Sequence, residues 1–141
     1  MRKMSDREAL EFLADGARTG KLALTDADGA PHVAAIWFVV DGGEIVFMTG
    51  AETRKGRSLR RDGRAALLVD DERPPFAYVR VEGTVDISDD HEAMLPWSIR
   101  IAGRYMGDGR AKAFGRRNAV PGELLVRLRP TRIVGMADIA D

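Results

Sequence analysis

The sequence predicts a mainly β domain: a compact antiparallel barrel of six strands with small helices at its edges. Three observations carry that prediction. Runs of alternating apolar residues follow one another across turns of two to four residues, which makes them antiparallel hairpins, because a parallel pair needs a crossover of about a dozen residues or more. The helical patterns are few and short, so they border a sheet rather than alternate with its strands. The 141 residues contain no repeat, linker or low-complexity tract and accommodate one core, so residues 1–141 read as a single domain.

The chain opens with a helix. Ser5 and Glu8 form a capping box, Leu10, Leu13, Ala14 and Ala17 recur at helical spacing, and Gly16 suits the stop. Lys21–Thr25 is the first strand, with Leu22 and Leu24 on one face, and Asp26-Ala27-Asp28-Gly29 is a turn. Pro31–Asp41 is a long second strand. Val33, Ala35, Trp37 and Val39 point to one side and His32, Ala34, Ile36, Phe38 and Val40 to the other. Both sides are mostly apolar, which predicts a strand covered on both faces.

Asp41-Gly42-Gly43 turns the chain into a third strand, Glu44–Thr49, and Thr53–Asp62 is a short basic helix. Arg64–Asp70 is the fourth strand, two prolines stiffen the loop at Pro74-Pro75, and Phe76–Ile87 is the long fifth strand. Ser88 to Glu92, including His91, cap a helical region reaching Met106, in which Pro96 either kinks the helix or begins its second half. Asp108–Arg117 is a further helix. Pro121-Gly122 leads into the sixth strand, Glu123–Arg129, with Arg132–Met136 as an optional last one.

Charge and composition exclude several functions. Lys plus Arg total 22 and Asp plus Glu total 22, so the net charge is zero and a dedicated nucleic-acid binder is not expected. The absence of cysteine excludes disulfides, thiolate nucleophiles and cysteine-held zinc or iron–sulfur centres. No apolar run approaches the roughly 18–20 residues of a membrane span. The first residues lack the apolar core of a secretion signal, so a cytoplasmic protein is expected.

Motifs narrow the field further. No G-x-G-x-x-G follows a strand, and in Gly50–Gly56 the lysine precedes the glycine, the reverse of a P-loop. The two histidines are far apart and fit no metal motif; His32 reads as an interface or ring-stacking residue and His91 as a helix cap. The positive signal is the strand ending in Thr49-Gly50 followed by a helix start bearing Thr53, Arg54, Lys55 and Arg57. A helix N-terminus attracts anions, and neighbouring cations add charge and directed donors, so this is a phosphate pocket in outline. The alternative is a solvated basic helix balanced by Asp70, Asp71 and Glu72. Spacing alone weighs the two evenly.

Gly20-Lys21-Leu22-Ala23, Asp28-Gly29-Ala30-Pro31-His32-Val33 and Ile36-Trp37-Phe38 resemble the pyridoxamine-phosphate-oxidase-like split β-barrel superfamily, an FMN-binding-like fold. Thr49, Thr53-x-Lys55, Leu59-Arg60-Arg61-Asp62 and Val81-Glu82-Gly83 continue the resemblance in order. Arg104-Tyr105-Met106-Gly107 and Pro121 to Val126 resemble the branch that uses the deazaflavin coenzyme F-420. The resemblance implies a homodimer with two cofactor sites at its interface. It places the tricyclic ring beside Ala35, Ile36 and Trp37, the phosphate on Lys55 with help from Thr49 and Arg54, and Tyr78 of the partner against the cofactor. Arg57 and Arg60 as contacts for the acidic oligoglutamate tail go beyond any motif match, and ordinary surface charge is their other reading.

The function implied is an F-420-dependent oxidoreductase, transferring hydride between the deazaflavin and a small electrophilic substrate. No acid–base pair stands out, which fits chemistry belonging to the cofactor. FMN in the same pocket is the alternative, as a flavin reductase or oxidase. A non-catalytic cofactor carrier, a ligand sensor or a haem protein using His32 or His91 is a third reading. No histidine follows His91, so the substrate-phosphate motif of vitamin B6 oxidases has no counterpart. Trp97, Ile101, Tyr105 and Met106 lie at helical spacing as either pocket wall or core, and Glu82 is expected to pair with Arg80 or Arg127.

Overall fold

The computed structural model describes all residues, Met1–Asp141. In chain order the elements are β1 (Arg2–Lys3), α1 (Asp6–Ala14), β2 (Gly20–Thr25), β3 (Pro31–Ile36), β4 (Phe38–Asp41) and β5 (Glu44–Gly50). They are followed by α2 (Arg54–Arg61), β6 (Arg64–Asp71), β7 (Ala77–Ser88), α3 (Leu95–Met106), α4 (Asp108–Asn118) and β8 (Glu123–Ala137). The Ser5–Glu8 capping box is present, with the Glu8 amide donating to Ser5 Oγ at 3.1 Å and the Ser5 amide to Glu8 Oε1 at 3.2 Å. The helix stops at Ala14, short of Ala17, with Gly16 in the left-handed region at φ 59°.

The hydrogen-bonded order is β3-β2-β6-β7-β8-β5-β4, with every neighbour antiparallel and β1 added on β8. The outermost strands, β3 and β4, are separated in sequence by Trp37 alone. Two residues of extended chain span at most roughly 7 Å. The sheet therefore has to curl until its two edges meet, and the covalent chain rather than a ladder closes the barrel. The expected antiparallel barrel is present as a split barrel.

It has eight strands rather than six, for two local reasons. The run expected as one strand, Pro31–Asp41, changes partner at Trp37: Ile36 pairs with Gly20, and Phe38 pairs with Phe47. An alternation pattern is blind to such a change. Arg2 and Lys3 pair with Ala137 and Met136, a contact that a charged dipeptide does not announce. Glu123–Arg129 and Arg132–Met136 fuse into one strand, because a register shift at Glu82/Gly83 admits Pro130 without ending the ladder.

Leu22, Leu24, Ile36, Phe38, Ile45, Phe47, Leu67, Val69, Val79, Val81, Val126 and Leu128 fill the barrel, and Ala9 and Leu13 of α1 pack against that core. Val39 and Val46 face outward and meet Ile101 of α3 in a second, small core. Pro96 sits in the first turn of α3, so it begins the helix and does not kink it. His91 caps nothing; Asp90 Oδ1 accepts from the Glu92 and Ala93 amides, and Met94 is the N-cap of α3. The close fit of α3 on α4 depends on Gly115, where an added Cβ would lie 2.7 Å from Ile99 Cα.

Candidate functional site

Five of the expected cofactor residues, Ala35, Ile36, Trp37, Thr49 and Lys55, line one cavity of about 270 Å³ together with Met48, Ser98, Ile101, Asn118 and Glu123. Its position follows from the topology. The β3–β4 crossing, the end of β5 and the start of α2 meet there, and α3 closes the far side.

The start of α2 is a hydroxyl cluster. Thr53, its N-cap, donates to Gly50 O at 2.7 Å and accepts from the Gly56 amide at 3.1 Å. Thr49 Oγ1 lies 3.1 Å from Thr53 Oγ1 and is itself 5% exposed. Since the Thr53 proton is committed to Gly50 O, Thr49 is the donor in that pair. Gly56 lets the helix sit this close, because a Cβ there would fall 2.1 Å from Gly50 O and 2.9 Å from Ala51 O.

The cations of α2 separate into one that reaches the cavity and several that do not. Lys55 lines the cavity and makes no ion pair. Arg54 turns away to the Asp26 carboxylate, with Nε to Oδ1 at 2.9 Å. Arg57 donates to Glu52 O at 3.2 Å, while Arg60 donates to Ala51 O at 2.8 Å and approaches Glu52 Oε1 at 3.4 Å. Arg61 donates to Thr25 O. Two of the three acids expected to balance this helix are occupied elsewhere, and the third, Glu72, makes no ion pair. Asp70 pairs with Lys21 at 2.9 Å, and Asp71 pairs with Arg18 and Arg73. Asp26 and Glu52 balance α2 instead.

Trp37 forms the aromatic wall. It belongs to neither the β2–β3 nor the β4–β5 ladder, is 37% exposed, and stacks on Tyr105 with ring centroids 4.9 Å apart and planes at 7°. The Tyr105 hydroxyl donates to Arg18 O at 2.9 Å and accepts from the Phe38 amide at 3.2 Å. Burial pushes this phenol above its ordinary value. Arg104 donates to Leu13 O, Gly16 O and Phe38 O at 2.7, 3.0 and 2.8 Å, tying α3 to the carbonyl end of α1. Of the helical quartet singled out by spacing, Ile101 lines the cavity as well as the second core. Trp97 and Tyr105 pack on that core, and Met106 lines no part of the cavity.

Other expected contacts differ. His32 is not presented for ring stacking: its side chain is 7% exposed, and Nε2 lies 3.0 Å from Ser58 Oγ, fastening α2 to β3. Tyr78 stands opposite Asp70 and Met136, away from the cavity of its own chain. Glu82 does face Arg80, one of its two expected partners, but its second cation is Arg132 and not Arg127; the register puts Arg132 opposite it, while Arg127 pairs with Asp41 and Glu44.

Sequence reasoning missed Glu123, the one acid in the cavity. It opens β8 opposite Gly50, and its Oε2 is buried without a hydrogen-bond partner. Burial pushes its carboxyl above the ordinary value, while Lys55 pulls in the other direction. Only the β5–β8 register brings it to the site, and no local pattern encodes that register.

With this geometry in place, known proteins supply context. The family described as pyridoxamine 5'-phosphate oxidase matches residues 5–137. The pyridoxine/pyridoxamine 5'-phosphate oxidases of Cupriavidus taiwanensis and Cupriavidus necator are each 36% identical over 112 residues, covering 77% of this chain and 50% of theirs. The chain thus spans about half the length of these relatives. A conserved hypothetical protein of Mycobacterium tuberculosis superposes with a TM-score of 0.79 at 31% identity, over 92% of this chain and 82% of that one. A structure named as an F-420 reductase gives 0.69 at 28% identity, over 87% and 94%.

Proposed function

The chain belongs to the pyridoxamine 5'-phosphate oxidase family, and on that premise we propose that it is an F-420-dependent oxidoreductase acting on a small electrophilic organic substrate. The observation that carries the proposal is Lys55, an ammonium in no ion pair, on a cavity that Trp37 also lines. The likeness to a structure named as an F-420 reductase supports the choice of cofactor.

The residues present fit such a group. An ammonium and the cavity-lining Thr49 hydroxyl, whose proton can swing from Thr53 Oγ1 to an anion, suit its phosphate. Trp37 lies outside both ladders, so its backbone polar groups are available to the polar ring edge. Met48, Ile101 and the Trp37 ring supply apolar walls that exclude water. When bound, the deazaflavin supplies the hydride chemistry, and the chain holds ring and substrate in register. About 270 Å³ is below the roughly 300–1,000 Å³ of ordinary ligand pockets. We therefore include a second copy of the chain, laid over the exposed side of β3, as the other half of the site, with Tyr78 as the partner's contribution.

FMN in the same pocket is the second reading, favoured by the kinship with two pyridoxine/pyridoxamine 5'-phosphate oxidases. Fluorescence titration with F-420 and FMN separates the two. Quenching of F-420 at micromolar concentration supports the proposal, and tight FMN binding with no F-420 binding overturns it. Lys55→Ala is expected to weaken the bound cofactor by about 1.5–3 kcal/mol, the loss of a charge-assisted contact. Unchanged affinity removes Lys55 from the phosphate site.

A further inference from the structure

Glu123 has no role in the reading above, yet it shares the cavity with Lys55. Lys55 is the one cation lining that cavity, because Arg54 is held by Asp26, and Arg57 and Arg60 turn back to residues 51 and 52. The other polar side chains facing Glu123 there are neutral: Thr49 from β5, Ser98 from α3 and Asn118 at the end of α4. The Ser98 hydroxyl is already given to Gly115 O at 2.8 Å. An ionised Glu123 therefore leaves the notch with one positive and one negative charge. It also leaves a shielded carboxylate oxygen, Oε2, with no donor to offset a second anion.

On the reading that a cofactor phosphate docks at Lys55, we propose that Glu123 is a specificity residue that makes the pocket prefer a singly charged phosphodiester to a doubly charged phosphomonoester. Lys55 balances one negative charge of either group. The second charge of a monoester, present above its second ionisation near pH 6, faces the carboxylate with no cation left to balance it. At the partial screening of such a site, one unit of like charge a few ångströms away changes affinity on the order of tenfold or more. F-420 carries its phosphate as a diester and FMN as a monoester, so the same residue biases the choice between the two cofactors.

Burial raises the Glu123 carboxyl, so acidification neutralises it above the usual carboxylate range. The monoester loses its second charge in the same direction. The discrimination is therefore full at alkaline pH and fades as the pH falls.

The test uses FMN with its phosphate methyl ester, and deazaflavin ribityl phosphate with its methyl ester, so that each pair differs only in phosphate charge. Dissociation constants are measured at pH 8 and pH 5 for the wild type and for Glu123→Gln, which keeps size and removes charge. At pH 8 the wild type is expected to bind each ester on the order of tenfold more tightly than its parent. Glu123→Gln, and the wild type at pH 5, are expected to narrow that ratio to within about threefold. Equal binding of ester and parent by the wild type at pH 8, or an undiminished preference in Glu123→Gln, overturns the inference alone. Failure of all four ligands to bind overturns the phosphate reading with it.

Discussion

Removing one oxygen from Tyr105 tests how the aromatic wall is held. The hydroxyl bridges Arg18 O and the Phe38 amide, while the ring carries the stack with Trp37. Tyr105→Phe keeps the ring and strands both backbone groups, so a loss of about 1–3 kcal/mol in denaturant unfolding is expected. Stability equal to the wild type would mean that water satisfies both groups and that the hydroxyl pins nothing. Asp71 sets a pH dependence of its own. Arg73 holds it through Nε and Nη2 at 3.0 Å each, the Arg73 amide adds a third bond, and Arg18 lies at 3.3 Å. The Arg73 side chain is the largest cause of a carboxyl held well below the usual range. A carboxyl depressed in the folded state binds fewer protons than in the unfolded chain. Its stabilisation is complete above the unfolded value of about 3.9 and is lost as the pH falls through it toward the folded value. The gap in melting temperature between wild type and Asp71→Asn is therefore expected to be flat from pH 5 to 8 and to close below about pH 4. A gap that widens on acidification contradicts the sign.

At the scale of elements, the position of Lys55 is the position of α2, and Gly56 sets it. A methyl at residue 56 meets Gly50 O and Ala51 O, both backbone, so the helix has to lift off the turn. Alanine improves helix propensity by up to about 1 kcal/mol, yet overpacking against backbone costs about 1–3 kcal/mol and is expected to win. Gly56→Ala is thus predicted to be less stable in thermal melts and to bind cofactor more weakly, although no ligand contact is removed. A more stable variant would show that α2 is not seated this way. What the sequence made legible follows the same division. The Ser5–Glu8 box, the Asp41-Gly42-Gly43 turn and the start of α2 at Thr53 rest on neighbours a few residues apart, and each is where spacing put it. The partner switch at Trp37 and the arrival of Glu123 opposite Gly50 rest on residues far apart in the chain. For the same reason Arg54 looked like a phosphate ligand, since Asp26, 28 residues earlier, claims it only once the barrel has closed.

At the scale of the molecule, apolar alternation on both sides of Pro31–Asp41 predicted a strand covered twice over, and one chain covers only half of that. Ile36 and Phe38 are buried, and α3 covers Val39, but Val33 is 68% exposed and Ala35 lies open. The register sets Val33 beside Ala23 and Ala66, and Ala35 beside Lys21 and Leu68, so a patch that is apolar except for Lys21, itself paired with Asp70, runs along β3, β2 and β6 to the cavity at Ala35 and Trp37. The proposed second copy would bury this patch and close the cavity in a single step. Val33→Glu places a charge on the patch at a residue that contributes little to the core of its own chain. It is expected to leave the melting temperature of the isolated chain nearly unchanged, to shift sedimentation from dimer to monomer, and to weaken cofactor binding in parallel. A dimer that dissociates with full cofactor affinity would mean that each chain holds a complete site. A wild type that sediments as a monomer while binding cofactor tightly would place the apolar patch outside the function altogether.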